Sequence, residues 1–293
     1  MAESGLAVGD GAMGTMLQQH GLKFGECPER WNLDRPETVR MVHKAYADAG
    51  AQYVETNTFG ANRIGLSRYG LDERQPEIVR SAVRSAREGA GDGVLVAGSI
   101  GPSGVLLEPY GEASPDQVRE AMRELAGCLE AEQVDFFVVE TMTDINEALL
   151  ALEAVKAVSE RPVAATMSFQ KSPKGMRTVM GQRPADCAAQ LRDAGADIVG
   201  TNCCNGFEEA VWIVEEMGDV GVPVMVQPNA GIPAIVEGVP VYNQTPERMA
   251  EEAPRLLEAA EGEPGVRIVG GCCGTTPAHI RAIRQKLKNR GQA

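Results

Sequence analysis

Histidine is scarce in this chain of 293 residues: His20, His43 and His279 are the full set, and no two have the spacing of paired metal ligands. A histidine-built metal centre therefore lacks its ligands, and a capping or surface role is the expectation for His279, in the first turn of the last helix. Basic residues are outnumbered, 28 Lys and Arg against 41 Asp and Glu, for a formal charge of −13. That balance disfavours nucleic acid or an anionic membrane as the main partner, since both need a basic footprint; an acidic surface suits solubility. No apolar run reaches the roughly 18 residues of a membrane helix, and the N-terminus lacks the basic-then-apolar pattern of a secretory signal. A cytoplasmic location is the expectation. Aromatic residues make up only 4%, and no dimerisation arm is evident. Cysteine is too sparse for a disulfide framework; seven in so long a chain point to metal binding, redox chemistry or inert burial.

What the chain does have is a repeated unit: a short apolar run rich in β-branched residues, a loop, then an amphipathic helix. Eight such runs are legible: Leu6–Val8, Gln52–Glu55, Val94–Ala97, Phe136–Val139, Val163–Met167, Ile198–Gly200, Val222–Val226 and Val266–Val269. The helices between them open on proline or on Ser, Thr or Asp, as in Pro36–Ala49, Gln75–Ala90, Pro115–Glu132, Asp144–Val158, Pro184–Ala194, Phe207–Met217, Pro246–Ala260 and Pro277–Lys288. Strict alternation fits a doubly wound sheet as well as a (β/α)8 barrel. The count of eight, and the wrong glycine spacing for a dinucleotide fingerprint in Gly9–Gly14, favour the barrel. The expectation is α/β, one (β/α)8 TIM barrel domain over residues 1–293. Connections after helices are short; those after strands are long, at Gly11–Arg35, Gly101–Ser114, Phe169–Arg183 and Asn229–Thr245. A barrel gathers those long loops on the face where active sites form, which points to an enzyme.

Polar residues collect where the apolar runs stop. Cys272 and Cys273 are adjacent, among glycines, and neighbours in sequence are poor partners for an ordinary disulfide. Strands six and eight of a barrel are separated only by strand seven and end on the same face. A cysteine from the Cys203-Cys204 doublet can thus approach the later pair. Three thiolates with one exchangeable position describe a catalytic zinc site, whereas a fourth cysteine would close it; soft ligands also suit Cu(I) or iron–sulfur chemistry. Adjacent residues tend to point oppositely, so one of Cys203 and Cys204 is expected to join. The competing reading makes these cysteines small buried hydrophobes. Cys128 and Cys187 fall inside helices and read as core; Cys27 has no metal partner in view. Among the acidic strand ends, Asp10 and Glu140, ahead of Glu55, suit receipt of an ammonium group, acid–base work or bonds to loop amides.

These residues carry a resemblance. Asp10-Gly11-Ala12-Met13-Gly14-Thr15, Cys27-Pro28-Glu29, Trp31-Asn32-Leu33, Glu55-Thr56-Asn57-Thr58-Phe59-Gly60-Ala61-Asn62, Gly98-Ser99-Ile100-Gly101-Pro102, Glu140-Thr141, Gly200-Thr201-Asn202-Cys203, Gln227-Pro228-Asn229-Ala230-Gly231 and Gly270-Gly271-Cys272-Cys273-Gly274-Thr275-Thr276-Pro277 span nearly the whole chain. Together they resemble the homocysteine S-methyltransferase family, especially the N-terminal homocysteine-binding module of cobalamin-dependent methionine synthases. The resemblance implies Cys203, Cys272 and Cys273 as ligands of Zn2+. It implies that Asp10 and Glu140 receive the amino group of homocysteine, and that backbone amides around Gly11, Ala12 and Ser99 hold its carboxylate; Glu55, an acid at the next strand end, is taken as a further substrate-binding candidate. Zinc lowers the pKa of a bound thiol and holds the thiolate, the nucleophilic form, so no protein nucleophile is required. The donor stays open: methylcobalamin on a separate corrinoid protein, S-methylmethionine or betaine. No Asp-x-His-x-x-Gly segment of the kind that anchors cobalamin occurs. Two further readings accompany the methyltransferase: a homocysteine-binding subunit of a multiprotein corrinoid system, and a relative acting on another thiol or a methylated amine.

Overall fold

The computed structural model describes residues 5–236, 239–260 and 262–290. Eight parallel strands form one sheet: β1 (Ala7–Val8), β2 (Tyr53–Glu55), β3 (Leu95–Ile100), β4 (Phe136–Met142), β5 (Val163–Met167), β6 (Ile198–Asn202), β7 (Val224–Gln227) and β8 (Val266–Val269). Their order is β1-β8-β7-β6-β5-β4-β3-β2. Strands next in sequence are next in space, and a helical connection follows each, the (β/α)8 arrangement. No ladder joins β1 to β2. That seam is closed by Gln52 N donating to Val8 O (2.8 Å) and Val8 N to Gln52 Oε1 (3.0 Å).

The strands read as near-continuous apolar runs because they are covered on both faces. Outward residues such as Val8, Val54, Val96, Val139 and Val199 meet the helices. Inward ones, Tyr53, Ala97, Phe136, Val138, Ala164, Met225 and Ile268, fill the lower barrel. The Tyr53 and Phe136 rings meet edge to face at 5.3 Å. Glycine is required where backbones crowd: a Cβ on Gly200 would stand 1.9 Å from Met225 O on the next strand.

Helix starts follow the sequence grammar. Ser114 and Gln117 form a reciprocal capping box at Pro115–Ala131, Asp144 caps Ile145–Lys156, and Thr245 caps Pro246–Glu252. One expectation fails. The helix read as Pro246–Ala260 breaks at Ala253 into Pro246–Glu252 and Pro254–Ala259. Pro254 has no N–H to continue the ladder, and its ring displaces the preceding turn. Two long loops carry hairpins that the sequence pattern did not reveal: Gln170–Ser172 with Gly175–Arg177, and Ala234–Val236 with Val239–Val241. Among the described residues no helix is long and apolar enough to cross a membrane.

Candidate functional site

At the C-terminal ends of the strands lies a cavity of about 230 Å³, bordered by Asp10–Thr15, Glu55, Ser99, Glu140, Cys203, Gln227, Cys272 and Cys273. One wall is sulfur. Cys203 leaves β6 with φ +59°, a conformation that costs an L-residue about 1–2 kcal/mol. Two hydrogen bonds hold its backbone there: Cys203 N donates to Gln227 O at 3.0 Å, and the Asn229 side-chain Nδ2 donates to Cys203 O at 3.2 Å. Beyond β8, Cys272 N donates to Pro228 O (2.8 Å) and Ala230 N to Cys273 O (2.9 Å), so the loop after β7 supports both cysteine turns. The Cys203, Cys272 and Cys273 sulfurs all lie within 4.8 Å of one another, and Cys203 Sγ is 3.9 Å from Cys273 Sγ. Cys204 is the outward member of its doublet, buried with Sγ 3.8 Å from Gly206 O.

The trio fits a tetrahedral ion: with Zn–S near 2.3 Å, the sulfur–sulfur edge is about 3.8 Å. Hydrogen bonds from Cys203 and Cys272 hold Cys273 far below its ordinary range, and the Tyr242 hydroxyl adds to them. Tyr242 is packed against Gly274, where a Cβ would meet the ring at 2.1 Å. His279 stands apart as a cap. Its Nδ1 accepts from Thr276 N (3.1 Å), so Nε2 carries the proton and donates to Gln244 O (3.0 Å). Cys27 donates to Glu29 and Cys187 is buried; burial first of all pushes both thiols up to about 12. Cys128 is half-buried in its helix.

The other wall is a hydrogen-bonded layer of inward side chains. Ser99 Oγ donates to Glu140 Oε1 (2.6 Å), and Asn202 Nδ2 to Glu140 Oε2 (3.0 Å). Thr166 Oγ1 donates to Asn202 Oδ1 (2.8 Å), fixing that amide's orientation. On the far side Gln227 Nε2 donates to Glu55 Oε1 (2.7 Å), and Asp10 Oδ2 accepts from Glu55 N (3.0 Å). Burial, first among the causes, raises the pKa of Asp10, Glu55 and Glu140 alike. No Lys, Arg or His lines the cavity among the described residues. The site is therefore built to welcome positive charge.

All nine residues singled out in the sequence border this one cavity. Two of the expected amides are already engaged. Ala12 N donates to Thr275 Oγ1 (3.1 Å) and Ser99 N to Thr56 Oγ1 (3.1 Å), so each buried amide already has a partner within the protein. The sequence reading passed over Asn202, Thr166, Gln227 and Tyr242 as site residues. The first three stand at strand ends with the right inward parity; Tyr242 gives no sequence signal at all.

Over residues 7–287 the chain matches the family model described as homocysteine S-methyltransferase. It is 32% identical to a methionine synthase of Mycobacterium tuberculosis over 96% of this chain but only 24% of that protein. It thus spans about a quarter of the length of that relative. An S-methylmethionine–homocysteine S-methyltransferase, BHMT2 of Pongo abelii, is 32% identical across 97% of this chain and 79% of its own length. Among solved structures, the metallated homocysteine methyltransferase MmuM of Escherichia coli superposes with a TM-score of 0.79 at 25% identity, covering 97% of each chain. Sequence and fold agree on one assignment: this chain belongs to the homocysteine S-methyltransferase family.

Proposed function

We propose that the chain, as one homocysteine-binding barrel domain, transfers a methyl group to homocysteine to give methionine. The single observation that carries this is the pairing, in one cavity, of a three-sulfur wall with a carboxyl wall. Cys203, Cys272 and Cys273 would hold Zn2+; bound there, the ion supplies the Lewis acidity that keeps an incoming thiol as its thiolate. Asp10 and Glu140 receive the substrate ammonium. With Ala12 N and Ser99 N engaged, the Gly11 amide and the Met13–Thr15 turn, which border the cavity, face the carboxylate. The substrate sulfur then forms the new S–CH3 bond while the bond from methyl to donor breaks. The donor departs with that electron pair, and no protein base has to act in the methyl-transfer step itself.

S-methylmethionine and betaine are the small-donor readings, the first supported by the likeness to BHMT2. A second reading makes the chain a subunit that is silent without a methylcorrinoid protein. Its support is the likeness to one quarter of a methionine synthase, together with Leu106, Tyr110, Ile232 and Ile235, apolar side chains exposed on the cavity-face loops. Purified protein assayed with homocysteine and each small donor, with and without a methylcorrinoid protein, separates the two. Methionine from a small donor alone supports the first; methionine only with the corrinoid protein supports the second. Absence of product with every donor overturns both and leaves another thiol or a methylated amine as substrate.

A further inference from the structure

The carboxyl wall holds one acid more than an ammonium group needs. Asp10, Glu55 and Glu140 border the same cavity, with no basic side chain among its described lining residues. Three ionised carboxylates around one buried cavity would repel one another. Their hydrogen-bond partners differ. Glu140 receives three donors, from Ser99 Oγ (2.6 Å), Asn202 Nδ2 (3.0 Å) and Thr141 Oγ1 (3.3 Å), the environment of an ionised acceptor. Asp10 receives a backbone N–H. Glu55 receives one donor, Gln227 Nε2 at 2.7 Å, and its carboxyl otherwise faces that of Glu140. A hydrogen bond between two carboxyl groups requires a proton on one of them. The group with fewer donors is the one that keeps it.

We propose that Glu55 is a positioning residue: a neutral carboxylic acid that accepts from Gln227 on one oxygen and donates its own O–H to Glu140. This holds Glu140 ionised and aimed at the substrate ammonium. Burial, followed by the charges of Glu140 and Asp10, pushes Glu55 well above the ordinary carboxylate range, in agreement with that geometry. The cavity then presents an ionised Glu140 to the ammonium, and Glu55 selects for the amino group only by orienting Glu140. The identity of the ammonium rests on the homocysteine reading; the place of the proton does not.

Infrared difference spectroscopy on the intact protein at neutral pH tests the proton directly. A neutral-carboxyl C=O band should be present in the wild type and absent in Glu55→Gln. Homocysteine binding tests the positioning. Glu55→Gln keeps one acceptor and one donor in the same places and should hold affinity within ~3-fold, whereas Glu55→Ala should lose ~10-fold or more, the scale of a lost hydrogen bond to a charged group. Binding of 4-mercaptobutanoate, which lacks the amino group, should be unchanged by Glu55→Ala; a merely structural role would weaken both ligands. Absence of a band assignable to Glu55, or a loss in Glu55→Gln equal to that in Glu55→Ala, overturns the proposal. If wild-type protein fails to bind homocysteine, the functional reading fails, and the infrared band alone still decides where the proton sits.

Discussion

The two walls of the cavity are made by different means. The sulfur wall is a backbone construction. Cys203 sits at φ +59°, Gly274 at φ +78°, and main-chain bonds from the β7 loop lock the Cys203 and Cys272-Cys273 turns together. The carboxyl wall is mainly a side-chain construction, in which Glu55, Ser99, Glu140, Asn202 and Gln227 turn inward to bond one another, with one backbone irregularity in β4 where Thr141, beside Glu140, takes φ +59°. A fault in the first moves ligand atoms, whereas a fault in the second leaves a polar group unpaired. The walls should therefore fail separately.

The largest separation is expected from Cys272→Ala. Freshly reduced protein should hold less than about half an equivalent of zinc, and turnover should fall by ~10³ or more, the scale of several kcal/mol of Lewis-acid stabilisation. Binding of 2-aminobutyrate, which has the ammonium and no thiol, should survive. Retained zinc and turnover would sink the ligand assignment. The reverse pattern is expected of Glu140→Gln: zinc near one equivalent, with KM for homocysteine raised ~30-fold or more and a smaller change in kcat. Loss of zinc in that variant would show the walls to be one unit.

Gly274→Ala attacks the sulfur wall without touching a ligand. The added Cβ would stand 2.1 Å from Tyr242 Cγ in a backbone conformation that already favours glycine, so a loss of about 2 kcal/mol is expected in denaturant unfolding, with weakened zinc retention. Unchanged stability and zinc content would count against a backbone-built wall.

An effect no larger than that of Gly274→Ala lies outside both walls and serves as their reference. His43 is fully buried with no partner for either ring nitrogen, and burial pushes it down to about 3. Its native pKa is below the unfolded value near 6.5, so the unfolded chain binds a proton that the native state refuses. Stability should fall as the pH drops from about 6.5 towards 3, with this residue contributing about 2 kcal/mol of loss by pH 5. His43→Leu should remove that component from unfolding curves compared at pH 7 and pH 5. An identical pH slope in the variant would reassign it to other groups, the cavity carboxyls included.

The two walls also differed in how far the sequence revealed them. Doublets at Cys203-Cys204 and Cys272-Cys273 stand out because cysteine is rare and the strand–helix rhythm counts their positions round a barrel. Which member of the first doublet faces Cys273 depends on the φ +59° turn, which no local pattern encodes. Asp10, Glu55 and Glu140 were visible as acids at strand ends. The bonds from Gln227 and Asn202 that divide their roles arise only when strands distant in sequence turn side chains into one interior. Ala12 and Ser99 show the same limit in the main chain, since hydroxyls from Thr275 and Thr56 claim their amides across long sequence gaps. Pro254 was in plain view, and its break followed from chemistry already known to act at any such position.

The long interval between the two cysteine turns bears on how the protein is made. Cys203 and Cys273 meet only through the barrel, and Cys204 faces the core, unable to substitute. On a ribosome adding about 5–20 residues per second, the chain from Cys203 to Cys272 takes roughly 3–14 seconds to synthesise. For that time Cys203 is an isolated thiol on an unfinished sheet. The three-sulfur pocket therefore cannot form until β8 has been made, and a nascent chain arrested before β8 would expose Cys203 while lacking the pocket.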